Sequence, residues 1–362
     1  MIDFKECDMS PKVSVIMPSL NVGKYIKKCI TSVCRQTLQD IEIICVDAGS
    51  TDGTLEILEE AAAADERIRI IHSDVKSYGY QMNLGLDAAQ GRYIGIIETD
   101  DFADKDMFKT LYKTACEDKL DVVKSDFWFY YSKPEVKNTL YKLPGYLVRK
   151  GVFCPYSGFV NPEEQADLFN IKASIWSAIY RRQFLVQNNI RFNETPGAAF
   201  QDTAFNFKVW ACAKNARLIK DAFVHYRQDN EQSSVNSPSK VFNICAEYQE
   251  IERFISERYF EDKHRQNVLN ALMMRLKYDA YMWNYDRLAE PLNHEFARGV
   301  QKELRSDLEK KYMNEDYFPP YKSEGLKMWA NDVESFIEAM DAQNQRSFAA
   351  RVIDKIKRSL KH

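Results

Sequence analysis

Three short stretches rich in acids and hydroxyls each follow an apolar run early in the chain. They are Pro18-Ser19-Leu20-Asn21, Val46-Asp47-Ala48-Gly49-Ser50-Thr51-Asp52-Gly53-Thr54 and Glu98-Thr99-Asp100-Asp101. In the third, carboxylates crowd together after an apolar strand. They repel one another and invite a hard divalent cation, which prefers oxygen ligands. The plainer alternative is an exposed turn with helix-capping acids. In the second, Asp47 ends an apolar run, Gly49 permits a tight turn, and Ser50 or Thr51 is placed to cap the helix that follows. Taken alone, that stretch reads equally well as an ordinary strand–turn–helix junction.

The elements that must position these loops are legible from the spacing of apolar residues. Val13 to Met17, Ile41 to Val46, Ile68 to Ile71, Tyr93 to Glu98 and Val122 to Phe127 read as strands. Tyr25, Ile26, Cys29, Ile30 and Val33 recur at helical spacing, and Thr54 to Ala64 forms a second helical pattern. Successive strands start 25 to 29 residues apart, the span of a strand plus a crossover helix. That rhythm implies a mostly parallel α/β sheet covered by helices on both faces. Ligands of such sheets bind beyond the carboxyl ends of the strands, where all three loops fall. The rhythm breaks at about 128–171, an irregular stretch of aromatics, prolines and glycines. Trp176 to Gln187 and Asp202 to Ala213 read as helices, and Ala222 to Arg227 as a short strand.

Beyond Ser239 the segments 240–258, 264–286, 295–311 and 324–345 are charged and amphipathic, as expected of a helical second domain. The expected boundaries are 1–236 for the α/β domain, 237–346 for the helical domain and 347–362 for a tail. In that tail Phe348, Val352, Ile356 and Leu360 recur at helical spacing. Arg351, Lys355, Lys357, Arg358 and Lys361 against Asp354 give it a net charge of +4. Such a pattern suits either an anionic membrane surface or packing on the preceding domain. The whole chain is near neutral, with 50 Lys+Arg against 53 Asp+Glu, so no basic field argues for nucleic acid. No apolar run reaches the roughly 20 residues of a membrane span, and no signal-peptide pattern opens the sequence. Eight cysteines without a CxxC pair fit a reduced, cytoplasmic protein.

The order and spacing of these motifs resemble the inverting family 2 glycosyltransferases, over about residues 12 to 236. The resemblance rests on the three loops, on Gln36-Thr37 with Asp40-Ile41-Glu42-Ile43-Ile44, and on Asn83-Leu84-Gly85-Leu86 with Ala89-Gln90-Gly91-Arg92-Tyr93. Gln201-Asp202-Thr203-Ala204-Phe205 resembles the family's Glu-Asp motif, and Tyr226-Arg227-Gln228-Asp229 with Ser233-Ser234 a loop closing over the diphosphate. It implies a GT-A, Rossmann-like nucleotide-sugar-binding sheet followed by a smaller C-terminal α-helical domain. It further implies a UDP-sugar donor, Mn²⁺ or Mg²⁺ at Asp100 and Asp101, and Asp202 as the catalytic base. Pro18, Ser19, Asn21, Asp47, Gly49, Ser50, Asn83, Asp100, Arg227 and Ser233 are the implied donor contacts. A glycan or lipid-linked saccharide acceptor in bacterial surface polysaccharide synthesis, at the inner face of the membrane, is likewise an implication of the resemblance.

The sequence departs from the family pattern at Leu20, Ala48, Met82 and Glu98, where an aromatic, an acid, an arginine and an aspartate are usual. Those departures keep open a non-catalytic nucleotide- or glycan-binding module with the same fold. Plainer readings stand beside the site residues too. Asp202 could be a helix N-terminal acid, Arg227 a surface residue, His225 a hydrogen-bonded strand histidine, and Trp176 with Tyr180 a helix–core anchor; His72 is expected to pack in the core. A nucleotidyltransferase would want a Gly-rich basic loop after the first strand, and a dinucleotide oxidoreductase a GxGxxG. The chain has neither there.

Overall fold

The structure is a computed structural model that describes residues 11–230 and 240–343. Its chain divides into two compact units, residues 1–237 with 246–254, and residues 238–245 with 255–362.

The first unit begins with β1 (Val13–Ser19), α1 (Gly23–Cys34), β2 (Ile41–Asp47), α2 (Thr54–Ala64), β3 (Ile68–His72), α3 (Tyr78–Ala88) and β4 (Tyr93–Ile96). β1 is buried along its whole length and β2 at all but Glu42, as strands covered on both faces must be. β1 pairs in parallel with β2 and β4, and β2 with β3. Helix α1 buries Ile26, Cys29, Ile30 and Val33, the residues its 3.6-residue period places on one side. These crossovers bring Ser19, Asp47 and the 98–101 loop to one end of the sheet.

The second half of the sheet is less regular. It comprises β5 (Phe102–Ala103), α4 (Met107–Glu117), β6 (Val122–Tyr131), β7 (Lys137–Tyr141), α5 (Gly145–Arg149), β8 (Val152–Phe153), α6 (Pro162–Phe169), β9 (Ala178–Arg181), α7 (Arg182–Gln187), α8 (Gln201–Cys212) and β10 (Ala216–Arg227). The strand order is β3-β2-β1-β4-β9-β6-β10-β5, with β7 on β6 and β8 on β10. β9 runs antiparallel to both of its neighbours, and β5, β7 and β8 are also antiparallel.

Several local expectations change here. The stretch expected to be helical from Trp176 to Gln187 is a turn of 3₁₀ helix, the strand β9 and the short helix α7. Its apolar residues read as one helical stripe because a buried central strand and a buried helix share the same composition. The irregular 128–171 stretch holds most of a β6–β7 hairpin, with Phe127 paired to Tyr141 and Phe129 to Thr139. His72 is exposed rather than packed in the core, because β3 is the edge strand. Helix α2 is started by Gly53 in a left-handed conformation and by Asp52, whose carboxylate accepts from the Thr54 amide at 3.2 Å, not by Ser50 or Thr51.

Helix α9 (Asn243–Arg258) contributes residues to each unit. The second unit adds α10 (Lys263–Arg287), α11 (Leu292–Glu309), α12 (Pro320–Asn331) and a helical run at 333–343. Trp329 is fully buried, stacks on Phe336 at 4.3 Å and donates its indole N–H to the Ala297 carbonyl at 2.9 Å. No described helix is long and apolar enough to cross a membrane. The basic tail at 347–362 lies outside the described residues, as does Ser233.

Candidate active site

The loops after β1 and β2 are tied into one cradle. Asp47 is fully buried; one oxygen accepts the Gly49 and Ser50 amides at 2.9 Å each, and the other the Ser50 hydroxyl at 2.5 Å. Gly49 takes φ +79°, the positive value that lets the chain turn back over that carboxylate. Ser19 donates to Asp47 at 3.3 Å, the Asn21 amide N–H donates to the Ser50 hydroxyl at 2.9 Å, and the Asn21 side chain accepts from the Thr51 amide at 2.9 Å. Gln81 holds both strand ends by donating to the Ser19 and Val46 carbonyls at 2.9 and 2.7 Å. Pro18 joins the third loop through its carbonyl, which accepts from the Thr99 hydroxyl at 2.7 Å. Pro18, Ser19, Asn21, Asp47, Gly49 and Ser50 are therefore brought together.

Asn83 is not brought to this cradle. It is buried, donates to the Phe192 carbonyl at 3.0 Å and to Glu194 at 2.7 Å, and accepts from the Phe192 amide at 3.0 Å. Its polar atoms anchor the loop that leads to α8. Gly79 belongs to the same anchor, since a Cβ there would lie 1.9 Å from the Asn193 carbonyl oxygen.

The third loop holds desolvated acids. Asp101 accepts the Arg227 backbone amide on one oxygen at 2.7 Å, while its other oxygen is buried with no hydrogen-bond partner. Burial, and then the neighbouring Asp100, push its pKa well above the ordinary carboxylate range. Asp100 accepts from the Asn230 side chain at 2.8 Å. Glu98 accepts the Tyr78 hydroxyl at 2.5 Å, and burial pushes its carboxyl up to about 8. An orphaned carboxylate oxygen beside a second carboxylate, with an all-oxygen donor set, fits a hard divalent cation.

The guanidinium of Arg227 turns inward. It donates to the Asp100 carbonyl at 3.0 Å, to Asp229 at 3.2 Å and to Ser132 at 3.3 Å, and lies over the rings of Tyr25 and Tyr130. It braces the acidic loop from behind. His225 is the hydrogen-bonded strand histidine of the plainer reading, between Asn138 and Asp104.

Asp202 sits in the first turn of α8, behind a left-handed Phe200 at φ +67°. The adjacent Gln201 fixes that turn by accepting from the Ala199 amide at 2.6 Å and donating to Thr195 at 2.8 Å. Burial raises Asp202 to about 6 against the opposing pull of Lys172, its own backbone N–H and Lys124. Its charge acts on Glu98, and the phenol of Tyr226 feels Asp101, Asp202, Asp100 and Glu98 together. All four acids are thus within electrostatic reach of the Tyr226 ring. Sequence reasoning missed Tyr78, Gln81, Lys172, Tyr226 and Glu247. The Glu247 carboxylate accepts from Asn193 at 3.1 Å and from the Ala204 amide of α8 at 3.4 Å. Of these, Tyr226 carried a signal, since it adjoins Arg227 in the same motif.

An α/β sheet with acids beyond its carboxyl edge is a GT-A type of fold. The family profile named Glycosyl transferase family 2 matches residues 14–205, and the chain belongs to that family. A relative from Bacillus subtilis, "Uncharacterized glycosyltransferase EpsJ", is 33% identical over 64% of this chain and 65% of its own length, just under two thirds. "Glycosyltransferase GlyG" of Streptococcus pneumoniae is 33% identical over 61% of this chain and 72% of its own. Among solved structures, S. aureus TarS 1–349 in complex with UDP-GlcNAc superposes with a TM-score of 0.67 at 18% identity, covering 92% of each chain. At that identity the likeness bears on the fold.

Proposed function

We propose that the chain is an inverting glycosyltransferase that moves a sugar from a UDP-sugar to a glycan or lipid-linked saccharide. The observation that carries this reading is an orphaned, buried Asp101 oxygen beside Asp100, together with a second desolvated acid, Asp202, whose charge reaches Glu98 of the same loop. Asp100 and Asp101 would hold Mn²⁺ or Mg²⁺, which when bound offsets the charge developing on the departing diphosphate. The cradle of Pro18, Ser19, Asn21, Asp47, Gly49 and Ser50 supports a place for the nucleoside; the spent hydrogen bonds of Asp47 make it the frame of that cradle. Arg227 keeps Asp100 and Asp101 in place. Asp202, ionised above about pH 6, takes the proton of the acceptor hydroxyl as its oxygen bonds to the anomeric carbon and the bond to UDP breaks. One displacement inverts the configuration.

The UDP-GlcNAc of the TarS complex makes an N-acetylhexosamine donor the first to test. The basic amphipathic pattern of 347–362 favours work at the inner membrane face, on an acceptor for surface polysaccharide. The deciding experiment incubates the protein with UDP-sugars and Mn²⁺ and reads UDP release. Release that disappears in both Asp101→Asn and Asp202→Asn, with unchanged melting, supports the enzyme. Metal-dependent UDP binding without turnover supports the binding module instead.

A further inference from the structure

The two faces of the β6–β10 pair carry two aromatic clusters that differ in what their polar atoms do. On one face Phe102 and His225 stack at 4.4 Å, Trp128 lies beside them, and Lys28 sits 3.3 Å over Phe102. There the His225 ring nitrogens are both engaged, so this cluster is closed. On the other face, Phe127, Phe129 and Tyr141 from the hairpin meet Tyr226 of β10. Phe127 is fully buried and stacks under Tyr141 at 4.5 Å, and buried Trp176 backs Tyr226 at 4.9 Å. Phe129 bridges the two outer rings, 5.9 Å from Tyr141 and 6.2 Å from Tyr226.

Phe129, Tyr141 and Tyr226 are each only half-buried. The hydroxyls of Tyr141 and Tyr226 and the ammonium of exposed Lys172, 5.5 Å over the Tyr226 ring, have no hydrogen-bond partner among the described residues. Tyr226 feels all four acids of the site, and Lys172 acts on Asp202. The result is a ledge with an apolar floor and unspent polar tips, running along the hairpin from Tyr226, the neighbour of the Arg227 whose backbone amide holds Asp101. An aliphatic chain would use the floor and leave the tips unpaired. A pyranose matches both, with its C–H face on the rings and its hydroxyls on the tips.

We propose that Phe129, Tyr141 and Tyr226 form the acceptor subsite and that it takes a pyranose, so that the acceptor is recognised through its sugar and not through a lipid. This rests on the donor and base reading above. The ledge is three rings long, with successive centroids 5.9 and 6.2 Å apart, so a disaccharide covers more of it than a single ring does.

The test is saturation-transfer NMR on the full chain with UDP and Mg²⁺. The probes are methyl glycosides of glucose, galactose, N-acetylglucosamine and N-acetylgalactosamine, with cellobiose, lactose and chitobiose. At least one probe should receive saturation on its ring C–H protons, and a disaccharide more than its monosaccharide. Phe129→Leu and Tyr141→Leu keep apolar bulk but lose the flat face, and should weaken that probe roughly tenfold. Tyr141→Phe keeps the flat face and loses one polar tip, so it should weaken the probe, but less than Tyr141→Leu does, with UDP affinity and melting temperature unchanged throughout. No saturation of any pyranoside by protein that binds UDP, or Leu variants that bind the probe as wild type does, overturns the ledge. Saccharide contact at the ledge without UDP binding overturns the donor reading and upholds the ledge.

Discussion

Buried charge is treated in opposite ways at the Lys277 cluster of the helical unit and at the acidic site of the α/β unit. In the helical unit Lys277, fully buried, is held by Asp307 at 2.6 Å and Glu303 at 2.7 Å. Burial alone would lower it, yet those two acids keep it above its ordinary value. Lys322 likewise sits on both oxygens of Asp279, which also takes Arg275 at 3.2 Å. In the α/β unit the acids of the site are desolvated with no ion pair on Glu98 or Asp202 among the described residues: Glu98 is pushed up to about 8 and Asp202 to about 6. A paired charge is a structural element. An uncompensated one is a cost that persists where a ligand or a proton-transfer step makes use of it.

Breaking one acid of the α/β unit should therefore cost activity, and breaking one pair of the helical unit should cost stability. The largest effect is expected for Asp202→Asn, which should slow UDP release from a UDP-sugar by about 10²–10⁴-fold. Its melting temperature at pH 8 should match wild type or exceed it, because the change removes an unfavourable buried charge. Lys277→Met should do the reverse, destabilising the protein by ~3–5 kcal/mol in urea unfolding, since it strands Asp307 and Glu303. Equal melting of Lys277→Met and wild type would erase the contrast.

Smaller effects follow from titration. The transfer rate should climb as pH rises through about 6, where Asp202 ionises, and level off above it. For Glu247, burial raises the folded-state value from 4.5 to about 8, with the Asp202 charge adding to it. The native state then holds more protons than the unfolded chain between pH 4.5 and 8, so this acid's contribution to stability falls as pH rises through that window. Glu247→Gln should flatten that slope and raise the melting temperature at pH 8 by a few degrees, read by calorimetry across pH. Arg227→Lys is expected to raise the KM for the donor several-fold with little change in melting, because an ammonium cannot span Asp100, Ser132 and Asp229 as the fork does.

The regular half of the sheet was legible because each of its strands is a short run rich in apolar residues and each crossover a helical stripe. The loops after β1, β2 and β4 were legible for the same reason, since position at a strand end is itself the signal. β9 was not. Its four residues sit between a 3₁₀ turn and a short helix, and no period separates them from a helix. The β6–β7 hairpin was hidden because aromatics fill both of its faces, so alternation between polar and apolar residues is lost. Asn83 and Arg227 were identified by motif, but the motif does not reveal where a side chain's hydrogen bonds go. Tyr78 on Glu98 and Glu247 on the first turn of α8 join segments 20 and 43 residues apart or more, contacts that only the folded chain creates.

The central claim is that the unpartnered Asp101 oxygen, beside Asp100, is kept for a cation that accompanies the donor diphosphate. Calorimetric titration of UDP into wild type and Asp101→Asn, each with Mn²⁺ and with EDTA, tests it most directly. UDP should bind wild type at least tenfold more tightly with Mn²⁺ than with EDTA, and Asp101→Asn should bind weakly in both. UDP affinity that is the same in Mn²⁺ and EDTA, or is untouched by Asp101→Asn, would contradict the account.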